Sequence, residues 1–341
     1  MASGRTVTDA WRELGLMSPR RLFFAHTRLV LIEADLARDG IGEVVDFLHR
    51  EPELRRELAR VLVSTTDPRL VLDVPNPLDP CPALRIEAIM RERVQSFHFP
   101  RLNLADFIRF LENEGADPFA AVIFVQENPT FQDVTFRGLA PEPEHNIVIR
   151  GTAVFRGAHL AGFLDEGETR GLLWLRNEVQ SGQLTLSCPG GPDAFVSADI
   201  LRSRVRVHPW FREREVGFTV LAQVSSRLTE VGGPLDVADP EVMAMLEAEQ
   251  AAVVQCEIER AFHRSRELRS DFFGLGETFR RRFPREWREL KDEWREVHLP
   301  RVQLEVRVES RIERTGVLFG PHFLRPNQTI YPVDGGKVGA R

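Results

Sequence analysis

Asp165, Glu166 and Glu168 stand within four residues of one another, and carboxylates so close can share general acid and base work. The same spacing has a simpler use. Asp165 followed three residues later by Glu168 is the pattern of a capping box, so these acids are expected to hold a helix start and not to turn over a substrate. Gly274-Leu275-Gly276-Glu277-Thr278 has the outline of a phosphate-cradling glycine loop. It follows a helical pattern in place of a strand and lacks a third glycine, which makes a tight left-handed turn the better reading. Trp287 and Trp294 have the chemistry of a ligand platform, but with Phe283 and Leu290 they recur at helical spacing and read as core. The histidines are scattered. His26, His49, His145, His159 and His208 make no HExxH and no i,i+4 pair, and no cysteine partner lies at zinc-finger spacing. Cys81, Cys188 and Cys256 are far apart and odd in number, so they form no disulfide framework. Cys256 lies inside a helical pattern and is expected to be a small core residue. There is no GxSxG elbow, P-loop or kinase signature. These residues assign no catalytic, cofactor-binding or metal-ligating position.

The elements that would carry these groups follow from periodicity. Residues 6–14 read as a helix, Leu29-Val30-Leu31-Ile32 as a buried strand, and Ala34 to His49 as a helix broken at Gly40. Arg60 to Ser64 is the next strand, and the strand–helix–strand order predicts a parallel pair. Val74 to Pro82 is dense in proline and reads as a linker. Helices follow near 84–97 and 103–114, the second capped by Asn103, and then a strand at Ala121 to Val125. Pro141-Glu142-Pro143-Glu144 marks a boundary. Beyond it, Ile147 to Phe155 and His159 to Leu164 flank a turn at Gly157-Ala158, which predicts a hairpin. Strands are expected near 183–188, 194–200, 203–208 and 216–224, the first turn among them at Gly190 to Asp193. Asp239-Pro240-Glu241 starts a long helix striped by Met243, Leu246, Val254, Ile258 and Phe262.

The last segment is the most regular. Phe283, Trp287, Leu290, Trp294 and Val297 define one face of a helix between Pro284 and Pro300. Val302 to Ile312 then alternates with charged residues from Arg301 to Glu313, a strand with one apolar and one wet face. The tryptophan helix is expected to pack on that strand. The alternating charges read as a solvated sheet face, with partner binding as the other possibility. The whole is an α+β chain, its mixed sheets packed with helices and its C-terminal part largely antiparallel. Three divisions are expected: an N-terminal region over 1–147 with a first domain to about residue 75, a C-terminal domain over 148–320, and a poorly ordered tail over 321–341.

Composition narrows the function. A chain of 341 residues with 43% hydrophobic and 28% charged content is long enough for a sizeable core. A net charge of −6 carries no footprint for nucleic acid. Lys291 and Lys337 are the only lysines, as in proteins from GC-rich genomes. No apolar run reaches the roughly 18 residues of a membrane helix.

Asp271, Gly274, Gly276, Glu277, Trp287, Trp294 and the closing Arg314-Thr315-Gly316 resemble the C-terminal end of the Ger(x)C family, the C subunits of spore nutrient-germinant receptors. A second resemblance lies in Gly151 to Phe155, Gly162 to Glu166 and Glu168 to Leu173, and a weaker third in Gly4-Arg5-Thr6, His26, Ala37 to Gly40 and Asp46 to Leu48. Together they cover about residues 2–320. The resemblance implies three mixed α/β domains and a lipid-anchored protein on the outer face of the spore inner membrane. It implies an integral-membrane A subunit and a transporter-like B subunit as partners, and a role in binding and scaffolding during nutrient-triggered germination. It carries over no ligand site. Family members begin with a signal peptide and a lipid-modified cysteine, which this sequence lacks. The expectation is a truncated first domain, a chain soluble without detergent, and less stability around Leu22 to Ile32 and Val61 to Val63 than over 150–316. A small-molecule-binding lipoprotein module and a hydrolase with a site between domains are the alternatives.

Overall fold

The computed structural model describes residues 3–19, 23–75, 81–91, 97–127, 145–187, 195–232 and 235–313. Within them the chain is α+β, built on two sheets. The first sheet has the order β1-β2-β3-β4-β5. Its strands are β1 (Leu29–Glu33), β2 (Arg60–Ser64), β3 (Phe119–Glu127), β4 (His145–Arg156) and β5 (His159–Leu164). The expected parallel pair is present, with Val30 opposite Val61, and β3 extends it in parallel beside β2. The expected hairpin is also present, turning at Gly157 with φ +58°. It belongs to this first sheet, because β4 runs antiparallel to β3. Residue 147, the expected boundary, therefore lies within a strand of the first sheet.

Helices close over both faces. α1 (Val7–Met17) is capped by the Thr6 side chain. α2 (Ala34–Asp39) and α3 (Gly42–Arg50) are parted at Gly40, as the sequence predicts. Gly40 has φ +118° and lies against the His159 ring, so this corner seats on the β4–β5 hairpin. α4 (Pro68–Asp73) was not expected from the sequence; it has Asp67 as its cap and proline in its first turn. α5 (Pro82–Arg91) and α6 (Leu104–Leu111) follow, the latter capped by Asn103.

The second sheet has the order β6-β7-β8-β9. β6 (Gln183–Ser187), β7 (Phe195–Arg212) and β8 (Glu215–Val231) are antiparallel neighbours. The two strands expected at 194–200 and 203–208 are one strand, β7, bent by an irregularity between Ile200 and Arg202. A bulge there takes up one residue, Leu201, without ending the ladder. β9 (Gln303–Glu313) runs parallel to β8 and forms an edge of the sheet. α7 (Glu166–Leu175) and α8 (Pro240–Leu268) pack on each other, and α8 covers the inner face of β9. One hydrophobic cluster runs through both sheets, and a second lies on the other face of the first sheet around Leu62, Phe99 and Ile123.

Two expectations need correction. Cys256 is exposed: it lies on the outer side of α8 while its neighbour Glu257 turns inward. The tryptophan segment is not one helix. α9 (Leu275–Arg282) and α10 (Pro284–Leu290) are followed by a 3-10 turn at Lys291–Glu293, a π turn at Trp294–His298 and a second 3-10 turn at Leu299–Arg301. Trp287 and Trp294 are buried as expected, Phe283 and Leu290 only in part, and α8 takes the place against β9. The turn at Gly190 to Asp193, the Pro141 to Glu144 boundary, Cys188, most of the proline-dense linker, Arg314 to Gly316 and the tail over 321–341 lie outside the described residues.

Candidate functional site

The chain leaves α8 through Arg269, in the left-handed region at φ +49°, and enters a buried turn. There Asp271 is fully buried. Its carboxylate accepts from the backbone N–H of Gly274 and Leu275 at 2.9 Å and of Gly276 at 2.7 Å. It thereby satisfies the free amides at the start of α9, the work of a cap supplied from three residues upstream. Gly274, at φ +75°, makes the turn that brings those amides round. The Trp294 indole N–H donates to the same carboxylate at 2.9 Å. The irregular turns after α10 fall at the residues that reach this acid and its neighbour.

A second buried acid meets the first. Asp117 lies two residues before β3, and its backbone N–H donates to the Asp271 carbonyl at 2.9 Å. The Asp271 N–H returns a bond to the Asp117 carboxylate at 2.8 Å. That carboxylate also accepts from the Gly157 N–H at 2.9 Å and from the Arg295 guanidinium at 2.9 and 3.0 Å. Beside it the backbones touch. The Gly115 carbonyl accepts from Glu277 N–H at 2.9 Å, and a Cβ on Gly115 would lie 2.6 Å from the Gly276 carbonyl carbon. A Cβ on Gly276 would meet both Trp287 and Trp294 at 2.8 Å. Ser270 Oγ completes the clasp on the Phe155 carbonyl at 2.5 Å.

Burial pushes Asp271 up to about 6, against the pull of the Gly276 and Leu275 amides and of Trp294. Glu277 is held down to about 2, first by the Arg280 side chain and then by Arg281. A further buried acid, Glu257 on α8, accepts from Arg170 Nε at 2.7 Å and from the Trp174 indole at 2.9 Å, and burial raises it above the usual carboxylate range. Glu166 binds His98 at 2.9 Å and Arg170 at 3.3 Å.

The expected capping box is formed: Asp165 accepts from Glu168 N–H at 2.8 Å and Glu168 accepts from Asp165 N–H at 2.9 Å. The glycine loop is the expected left-handed turn. Asp271, Gly274, Gly276, Glu277, Trp287 and Trp294 come together at one place. Asp117, Gly115 and Arg295 belong with them and were missed. The signal was Gly115-Ala116-Asp117-Pro118, a short link between a helix and a strand in which an acid has to be buried. Among the described residues no three His, Cys, Asp or Glu side chains gather in a way that could hold a metal ion. The acids of the clasp are occupied by backbone, indole and guanidinium donors, and their chemistry is to join segments.

Residues 1–125 match the Spore germination protein N-terminal domain, and residues 150–316 match Spore germination B3/ GerAC like, C-terminal. This chain belongs to the GerAC family of spore germination proteins. Spore germination protein KC of Bacillus subtilis (strain 168) is 27% identical over 324 residues, which is 93% of this chain and 79% of that protein. The putative spore germination protein YfkR of the same organism is 24% identical over 322 residues, again 93% and 79% of the two chains. The crystal structure of the GerBC protein shares the fold with a TM-score of 0.66 at 16% identity, covering 89% of this chain and 83% of that one. The clasp bridges the two stretches of this GerAC-type chain: Asp117 lies in the first match, Asp271 and Arg295 in the second. No helix of the described residues is long and apolar enough to cross a membrane.

Proposed function

We propose that this GerAC-type chain is the C subunit of a spore germinant receptor, acting without catalysis by binding and scaffolding beside integral-membrane A and B subunits. The observation that carries the reading is the pair of family matches, which together cover both halves of the chain, with named relatives that are all germination proteins. The geometry is compatible with it. The most deeply buried acids, Asp117, Asp271 and Glu257, are committed to holding segments together. A two-part organisation, divided between residues 125 and 150, has the support of the same matches. On this reading the protein is held at the outer face of the spore inner membrane by a lipid anchor, and nutrient recognition rests mainly with the membrane partners.

The test is a pull-down from detergent-solubilised spore membranes of the source organism, with an affinity tag on the C-terminus of the protein at its own locus. Polytopic A and B proteins are expected in the eluate, and deletion of the gene is expected to abolish the response to a nutrient germinant. Recovery of the tagged protein alone, with germination unchanged in the deletion strain, would refute the proposal.

A further inference from the structure

β9 is an edge strand with self-complementary charges, and we propose that it pairs with β9 of a second copy of this chain in an antiparallel, two-fold ladder centred on Val308. Gln303, Glu305, Arg307, Glu309, Arg311 and Glu313 all face solvent from this strand. Their signs alternate every second residue from Glu305 to Glu313. Edges are ordinarily guarded by charges of one sign or by proline, and an alternating row does not repel its own copy.

The register decides the partner. With Val308 on the two-fold axis, Arg307 stands opposite Glu309 of the second copy, and Glu305 opposite its Arg311. A shift of the axis by one residue, to Arg307 or to Glu309, sets arginine on arginine and glutamate on glutamate. Parallel in-register pairing also sets like on like. Like charges directly opposite each other oppose pairing, so the row selects the antiparallel direction and an axis on Val306, Val308 or Ser310. Val308 brings more opposite charges together than Val306, and the Ser310 axis would need the Ile312 amide that Glu247 holds.

The backbone agrees. The Ile312 N–H points away from β8 and donates to the Glu247 carboxylate at 2.8 Å. Backbone groups alternate along a strand, so the amides of Val306, Val308 and Ser310 face the same edge, on which no strand of the described residues lies. In the proposed register these residues meet one another as hydrogen-bonded pairs, Val308 with Val308 and Val306 with Ser310. Glu247 closes the edge at Ile312 and so sets the end of the ladder. Leu304, Val306 and Val308 are only partly buried under α8, and a second copy would cover them further. In the single chain Glu309 is held by Gln223 at 2.9 Å, and Arg307 lies 3.9 Å from Glu305, so the charges have weak local partners to exchange. One strand edge is a narrow interface, and the association is concentration-dependent.

Sedimentation equilibrium of the full chain and its variants tests this, with circular dichroism confirming that each variant is folded. The wild type is expected to dimerise. Arg307→Glu or Glu309→Arg alone should weaken the dimer about tenfold, since each reverses two symmetry-related contacts. The double variant R307E/E309R restores opposite charges and should restore the dimer. Hydrogen exchange at Val306, Val308 and Ser310 should slow as concentration rises. A wild type that stays monomeric, a dimer indifferent to Arg307→Glu, or a double variant no better than the singles would overturn the proposal. So would edge amides protected equally at every concentration, the result expected if the chain's own residues 314–341 or another segment already cover them.

Discussion

Asp271 is a fully buried acid with a pKa pushed up to about 6, so it is largely ionised at neutral pH. Its folded value lies above its unfolded one, near 3.8. Its contribution to stability is therefore fully present below about pH 4 and is lost as pH rises through about 6, a swing of about 3 kcal/mol. Asp271→Asn removes that titration. Urea unfolding from pH 4 to 7 should show the wild type losing stability relative to Asp271→Asn across this window, and parallel profiles would refute the raised value. Depressed Glu277 works in the opposite sense, its contribution present above about pH 4.5 and lost as pH falls from there towards 2; it acts equally in the wild type and in Asp271→Asn and cancels in the comparison. The two tryptophans offer a matched pair. Trp294 donates its indole N–H to Asp271, whereas the buried Trp287 indole N–H has no partner among the described residues. Both lose ring volume on substitution by phenylalanine, but only Trp294→Phe loses a bond to a charged group. We expect Trp294→Phe to cost about 1.5–3 kcal/mol more than Trp287→Phe, measured by urea unfolding.

Helix contacts make a sharper test than single bonds. A Cβ on Gly171 would lie 2.0 Å from the Glu257 carbonyl oxygen, so α7 and α8 touch backbone to backbone there. Gly171→Ala should force them apart and cost about 1–3 kcal/mol, as overpacking does. Gly15 in α1 has nothing within 4 Å of its would-be Cβ, and Gly15→Ala should instead stabilise by about 0.5–1 kcal/mol. Thermal melts of the two variants should move in opposite directions. At this scale much was legible beforehand. The break at Gly40, the caps at Asn103, Asp165 and Asp239, and the hairpin at Gly157 depend on neighbouring residues, which a sequence displays directly. What escaped reading depends on distant partners. The tryptophan spacing describes a regular helix, but Trp294 and Arg295 must reach Asp271 and Asp117, and the chain reaches them through a π turn. Cys256 faces outward, against the expectation, and Glu257 turns inward, where Arg170 and Trp174 of α7 supply it with partners. Six of the clasp residues were visible as a sequence pattern; Gly115 and Asp117 left only the short link from Gly115 to Pro118 as a signal and Arg295 left none, since its meaning comes only from contact with Asp117.

Across the molecule, the clasp joins the first sheet to the turns that follow α8. Removing it should loosen both regions together. Asp117→Ala leaves Arg295 and the Asp271 and Gly157 amides without their acceptor, at a cost of about 3–5 kcal/mol for the broken buried pair. Hydrogen exchange should then rise in β3 and β4 and also in α9 and α10, and loosening confined to one of these regions would show that the coupling lies elsewhere. The same feature bears on how the protein is made. Asp117 and Arg295 are 178 residues apart in sequence. At a synthesis rate of roughly 5–20 residues per second, the ribosome needs roughly 10–35 s to deliver the arginine after the aspartate. Through that interval the nascent first sheet carries an acid that it cannot yet bury, and its assembly waits on the far end of the message.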